Sequence, residues 1–190
     1  VLLFQPAEET GFGARSVLED PRFESIEPDW IFALHNLPGE IFGEIQIREG
    51  PFAAGSVGAA FRLGGSTSHA AYPEQGTSPA LAVAQLIQEL GTLPDSLNQD
   101  NGIARLTVVH ARIGEPAFGT TPGEAEVMAT LRSDREEVLG DLREKALVVA
   151  KRIAGAHGLK FENSWRDDFP VTTNHPEAVA VVEAAAVAGG

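Results

Sequence analysis

The sequence has no cysteine, a single methionine, a single tyrosine and two tryptophans among its 190 residues. Without cysteine there is neither a disulfide nor a thiolate ligand in this stretch, so a metal held here must be bound by His, Asp or Glu. Basic residues are scarce too. Lys and Arg number 14 against 27 Asp and Glu, a formal net charge of -13. Such a surface repels phosphate backbones and anionic lipid, which argues against nucleic acid and membrane partners and favours a small-molecule or peptide substrate. No apolar run reaches about 18 residues, and no charged-then-apolar leader ends in a small-residue cleavage site, so neither a membrane span nor a signal peptide is read. The expectation is a soluble chain, compatible with the cytoplasm.

What is present is enough for a real core: 43% of the residues are hydrophobic, and the length suits one large domain or two small ones. The chain begins inside an apolar run, VLLF, and ends inside an alanine-rich helical run, VVEAAAVAGG. Both ends read as cuts through a larger protein. VLLFQP reads as a short buried strand, GARSVLE as a helix, and WIFALH as a second apolar run. IFGEIQIR alternates, with Ile41, Gly43, Ile45 and Ile47 on one side. The Gly/Pro/Ala stretch EGPFAAGS then reads as a crossing between domains.

From about Ser56 the pattern forms a self-contained unit. VGAAFRL is strand-like, and the loop GGSTSHAAYPEQGT leads to a helix with Ser78 as its N-cap and Pro79 at its first position, expected to stop at Gly91. IARLTVVHARI and EAEVMATLR are strands. In the latter, Ala125, Val127, Ala129 and Leu131 face one way and Glu124, Glu126, Thr130 and Arg132 the other, as in a sheet covered on one face. Ser133 and Glu136 have capping-box spacing, and the helix that follows places Leu139, Leu142, Ala146, Val149 and Ile153 on one stripe until Gly158. LKFENSW is a last strand. The order is βαββαβ, two helices over one face of a four-stranded antiparallel sheet. The fold class is therefore α/β, with residues 1–52 and 166–190 belonging to one domain and 53–165 inserted into it.

Glu8 and Glu9 follow Pro6 where the chain leaves a strand. Neighbouring carboxylates pointing in different directions allow one to bind a metal while the other takes a proton from water, the division that metal-assisted hydrolysis needs. The same pair also suits the first turn of a helix, where acidic groups complement its dipole. His35, at the end of WIFALH, has the chemistry of a zinc or manganese ligand or of a hydrogen-bonded, partly buried ring. His69, in STSHAAYP, could polarise a substrate or donate a proton, or be a surface loop residue. His110, His157 and His175 have no partner at ligand spacing and read as structural or exposed. Gly11, Gly13 and Ser16 make a poor phosphate turn, since the third glycine is missing. AGSVG around Ser56 lacks the first glycine of a nucleophile elbow.

Taken in order, FQPAEE, GARSVLED, WIFALHNLP, GEIQIREGPFAAGS, SHAAYPEQGTSPALA and TPGEAEVMATLRS resemble the N-acyl-amino-acid amidohydrolases of peptidase family M20, the group that includes aminoacylases, carboxypeptidases, auxin-conjugate hydrolases and hippurate hydrolases. The resemblance spans nearly the whole chain. It implies part of a metallopeptidase catalytic domain with an inserted ferredoxin-like lid that dimerises. It also implies a divalent metal, zinc in the first instance with manganese, cobalt or nickel as alternatives. By resemblance Glu8 is the general base, Glu9 and His35 are metal ligands, and His69 approaches the scissile group in the active site of a partner subunit. An upstream metal motif and a C-terminal histidine ligand of the family are absent, so this chain should hold part of a two-metal site and be inactive alone. Where many relatives have Asn-Val-Ile-Pro, this chain has Gly119-Thr120-Thr121-Pro122. The competing reading is a non-enzymatic dimerisation or binding module with an inherited, degenerate metal site.

Overall fold

The computed structural model describes residues 1–97 and 102–189; Gly190, the end of the alanine-rich run, lies outside them. In chain order the elements are helix α1 (Phe12–Leu18), strands β1 (Gly50–Ala53) and β2 (Gly55–Gly64), helix α2 (Ala80–Thr92), strands β3 (Ala104–Ile113) and β4 (Glu124–Ser133), helix α3 (Glu136–Ala156), strands β5 (Lys160–Phe169) and β6 (Thr172–Asn174), and helix α4 (Pro176–Gly189). They form two compact units, Val1–Ala53 with Thr172–Gly190, and Ala54–Val171.

In the larger unit the sheet order is β3-β4-β2-β5 with every pair antiparallel, the βαββαβ arrangement that the hydrophobic periods predict. Strand β4 shows why. Ala125, Val127, Ala129 and Leu131 are buried while the residues between them stay accessible, because a strand turns successive side chains to opposite faces. Both helices cover that face, α2 through Ala82, Val83, Leu86 and Leu90, and α3 through Leu139, Leu142, Ala146, Ala150 and Ile153. Val149, expected in the stripe, is half-buried at its margin, and Ala150 takes the closest position. Phe61 fills the centre, with the rings of Phe161 and Trp165 each 6.2 Å away. Removing each such side chain from water stabilises the fold by about 1.5 to 3 kcal/mol.

The helix boundaries differ in detail from expectation. Helix α2 starts at Ala80 with Pro79 as its N-cap, and Ser78 Oγ accepts from the Ala80 N–H at 3.3 Å. It passes through Gly91 to Thr92 and continues as a 3-10 turn at Leu93–Ser96. The box at Ser133 and Glu136 does not form. Ser133 is fully buried and accepts from the Arg135 N–H at 3.1 Å, while Glu136 Oε2 is diverted to the Val171 N–H at 3.1 Å, leaving Arg135 as N-cap. Gly158 does end α3. Its φ of +65° lets its own N–H reach Gly155 O at 3.2 Å and the Leu159 N–H reach Ala154 O at 2.9 Å, the paired bonds of a glycine-closed helix. Strand β5 runs past Trp165 to Phe169, because a bulge around Asp167, at φ 50°, lets pairing with β2 resume at Ser56.

The smaller unit departs further from expectation. Helix α1 matches GARSVLE, but VLLFQP is not a strand, the apolar run WIFALH has no regular structure, and Val1, Leu2, Phe4, Ile31, Phe32 and Leu34 are exposed. A strand is held by its neighbours, and among the described residues nothing pairs with these runs. IFGEIQIR is broken by a turn in which the Glu44 N–H meets Ile41 O at 3.1 Å and Gly43 adopts φ +85°. The crossing EGPFAAGS contributes β1, which pairs antiparallel with β6 in the register Gly50↔Asn174, Pro51↔Thr173 and Ala53↔Thr172.

Candidate functional site

Glu8 and Glu9 open a 3-10 turn, Glu8–Thr10, entered through Ala7 in the left-handed region at φ 53°. Both are exposed. The two carboxylates therefore leave a tight turn about 120° apart rather than extended backbone at about 180°. The turn is closed by the Gly11 N–H to Glu8 O at 2.8 Å and by Thr10 Oγ1 donating to Ala7 O at 3.2 Å, while Gly13 is packed so closely that a Cβ there would meet Pro6 O at 1.5 Å. Glycine at position 13 thus serves the packing of α1 under this turn, not a phosphate loop.

His35 lies exposed in a segment without regular structure. Its Nδ1 is 2.7 Å from Asn36 O. A carbonyl oxygen only accepts, so Nδ1 carries a hydrogen, and in the neutral ring the lone pair is then on Nε2, the form in which an imidazole binds a metal. Among the described residues, no three or more His, Asp or Glu gather to hold a metal ion, so Glu8, Glu9 and His35 do not close into a three-ligand set. The donor chemistry of Glu9 and His35 nevertheless fits a divalent cation: one carboxylate and one neutral imidazole with a free lone pair.

His69 belongs to the larger unit, in the loop between β2 and α2, and is exposed. Its ring is fixed in the opposite sense. The Ala71 N–H donates to His69 Nδ1 at 3.1 Å, which assigns the hydrogen of the neutral ring to Nε2. His69 thus offers an outward N–H donor where His35 offers a lone pair. The loop lies against the β3–β4 connection: His69 bridges Thr120, the Ala70 N–H donates to Gly119 O at 2.9 Å, and the Thr121 N–H to Ser68 O at 2.9 Å. At its base the Gly65 N–H meets Gly123 O at 2.7 Å, an approach that leaves no room for a side chain, since a Cβ on Gly65 would lie 1.9 Å from Thr77 O.

The sequence profile of peptidase family M20/M25/M40 matches residues 1–190. The chain belongs to this family. It is 31% identical over 185 residues to the N-acetyl-L-cysteine deacetylase of Bacillus subtilis (strain 168), a match covering 97% of this chain and 44% of that protein. It is 30% identical over 178 residues to the hippurate hydrolase of Campylobacter jejuni, covering 94% of this chain and 46% of that protein. A solved structure of a Bacillus subtilis protein, described as a dinuclear metal binding peptidase from the M20 family, superposes with a TM-score of 0.72 at 26% identity, covering 98% of this chain and 46% of that one. The chain spans about half the length of the curated relatives it matches.

Some features of this M20 chain lay outside the sequence reading. On the open face of the four-stranded sheet, Ser56, Gly58, Thr130, Arg132 and Asp167 line an open pocket of about 320 Å³ beside the β5 bulge. The alternation in β4 put Thr130 and Arg132 on that face, but no sequence signal announced the bulge. Of the remaining histidines, His110 and His175 are exposed and His157 is half-buried. The His157 Nε2–H points to Gln85 Oε1 at 3.1 Å, His175 Nδ1 accepts from the Glu177 N–H at 3.4 Å at the start of α4 while its ring lies 4.7 Å from Trp30, and His110 pairs with Met128 across the sheet. No helix among the described residues is long and apolar enough to cross a membrane.

Proposed function

We propose that the complete parent protein hydrolyses the amide bond of an N-acyl amino acid or small peptide, and that it does so as a homodimer joined through its lid. The observation that supports this reading is the ring state of His35, whose Nδ1–H is engaged by Asn36 O and whose neutral form therefore keeps its lone pair on Nε2, in a chain of the M20 family. Glu9 and His35 would hold a divalent metal, zinc first and manganese, cobalt or nickel as alternatives. When bound, such a cation acidifies a water molecule and polarises the substrate carbonyl. Glu8 takes the proton from the attacking water and returns it to the leaving amine. His69, from the partner's lid, donates its Nε2–H to the oxygen on which negative charge develops. The relatives named deacetylase and hippurate hydrolase support an acyl group on an amino acid as the substrate class.

In the complete parent, Glu8→Gln is expected to retain its metal content by elemental analysis while amine release falls at least about a hundredfold, as loss of a general base does. Near-normal turnover in that variant would remove Glu8 from the mechanism.

A further inference from the structure

The loop that carries His69 is tied to the β3–β4 connection by a side-chain clamp. Thr121, in Gly119-Thr120-Thr121-Pro122, accepts the Ser68 N–H on Oγ1 at 2.8 Å, and the same oxygen lies 2.8 Å from Ser68 Oγ and 3.3 Å from Ser68 O. The Thr121 N–H adds a backbone bond to Ser68 O at 2.9 Å. Both residues are half-buried although His69 itself is exposed. Ser68 on one side of His69 is thus held by Thr121, and Ala70 on the other by Gly119 O.

A valine or isoleucine at position 121 would keep the backbone bond and lose every contact made by the hydroxyl. The Ser68 N–H would then have no acceptor in a half-buried site, an arrangement the loop relieves by moving. Its movement reaches the ring directly, because the backbone from Ser68 to Ala71 sets the distance between the Ala71 N–H and His69 Nδ1.

We propose that Thr121 is a positioning residue: through Ser68 it clamps the histidine loop so that the Ala71 amide holds His69 in its Nε2–H state, aimed outward as a hydrogen-bond donor. The proposal rests on the reading of His69 as the donor to the substrate oxygen. Its ring-state half stands apart from that reading, and the experiment separates the two.

The test uses the complete parent protein with 15N-labelled histidine. In the wild type the His69 ring should show a protonated Nε2 and an unprotonated Nδ1. Thr121→Val should move both nitrogen shifts toward the averaged pattern of a ring exchanging between tautomers and lower kcat about ten- to a hundredfold with little change in KM, the cost of misplacing a reacting group by a fraction of an ångström to an ångström. Thr121→Ser, which restores the hydroxyl, should rescue both readouts. Unchanged ring shifts in Thr121→Val, or a wild-type ring protonated on Nδ1, overturns the clamp. Shifts that move while kcat stays constant in both Thr121→Val and His69→Ala overturn the role of His69 and leave the metal and Glu8 reading to its own test.

Discussion

A neutral imidazole is either a donor or an acceptor at each nitrogen, and here a neighbouring backbone group makes the choice twice: Asn36 O takes the hydrogen on Nδ1 of His35, and the Ala71 N–H takes the lone pair on Nδ1 of His69. Neither assignment needs a second charged residue. Charge pairing acts elsewhere, on the open face of the four-stranded sheet. Arg62 Nε meets Glu126 Oε2 at 2.8 Å across the β2–β4 pair, and this hydrogen bond, ahead of the opposing cost of burial and the simple attraction of the charges, holds the Glu126 carboxyl below its ordinary value. A depressed carboxylate contributes stability above its unfolded value and loses it as pH falls through the folded one. Arg62→Ala should therefore raise the Glu126 titration midpoint toward the ordinary carboxylate value, read by carboxyl carbon NMR, while scarcely moving the unfolding midpoint, because Arg62 is well exposed and water screens the pair. An unchanged midpoint in the variant would assign the shift to another neighbour. At this scale the strings FQPAEE and ALHN single out Glu8, Glu9 and His35 as candidates, which the described residues do not gather into a three-ligand set, whereas the Ser68–Thr121 clamp joins residues too far apart in sequence for any local pattern to announce.

Among elements, the difference between a glycine that must be there and one that is merely tolerated gives a paired test. Gly65, where β2 gives way to the histidine loop, has no space for a Cβ, with Thr77 O 1.9 Å and Leu159 Cδ2 2.9 Å from where it would stand. Gly140, inside α3, has nothing within 4 Å. Gly65→Ala should destabilise the chain by at least about 2 kcal/mol through overpacking, and Gly140→Ala should stabilise it by about 0.5 to 1 kcal/mol by restricting the unfolded chain. Urea unfolding reads both, and equal effects would mean that the loop gives way around a side chain. The βαββαβ unit was legible element by element because its buried faces repeat at the strand and helix periods, as in β4 and α3. Its helix starts were less so, since Ser133 and Glu136 find better partners in the fold than each other. The apolar runs VLLF and WIFALH misled because an apolar run states a need for partners, and a strand exists only where the partners are present.

At the scale of the molecule, the hydrophobic core belongs to one unit. Every residue of the buried cluster, from Val57 to Leu159, and every side chain packed against it lies between Ala54 and Val171. The chain enters and leaves this unit at one place, because Ala53 and Thr172 face each other in the β1–β6 ribbon. A segment whose ends meet and whose core is its own has what an inserted domain needs to fold without its host. The smaller unit is built the other way, with the 7-residue α1 and the 14-residue α4, a two-stranded ribbon that is marginal in water on its own, and, among the described residues, Val179 as its buried hydrophobic residue. Residues 54–171 expressed alone should therefore unfold in urea in one cooperative transition, at the midpoint shown by the 190-residue chain, and Leu142→Ala should lower that midpoint equally in both, by the equivalent of about 2 to 5 kcal/mol. Val179→Ala in the longer chain should leave the transition where it is. If the excised segment melts without cooperativity, or if Val179→Ala shifts the main transition as Leu142→Ala does, the two units share their stability and the larger unit is not an independent domain.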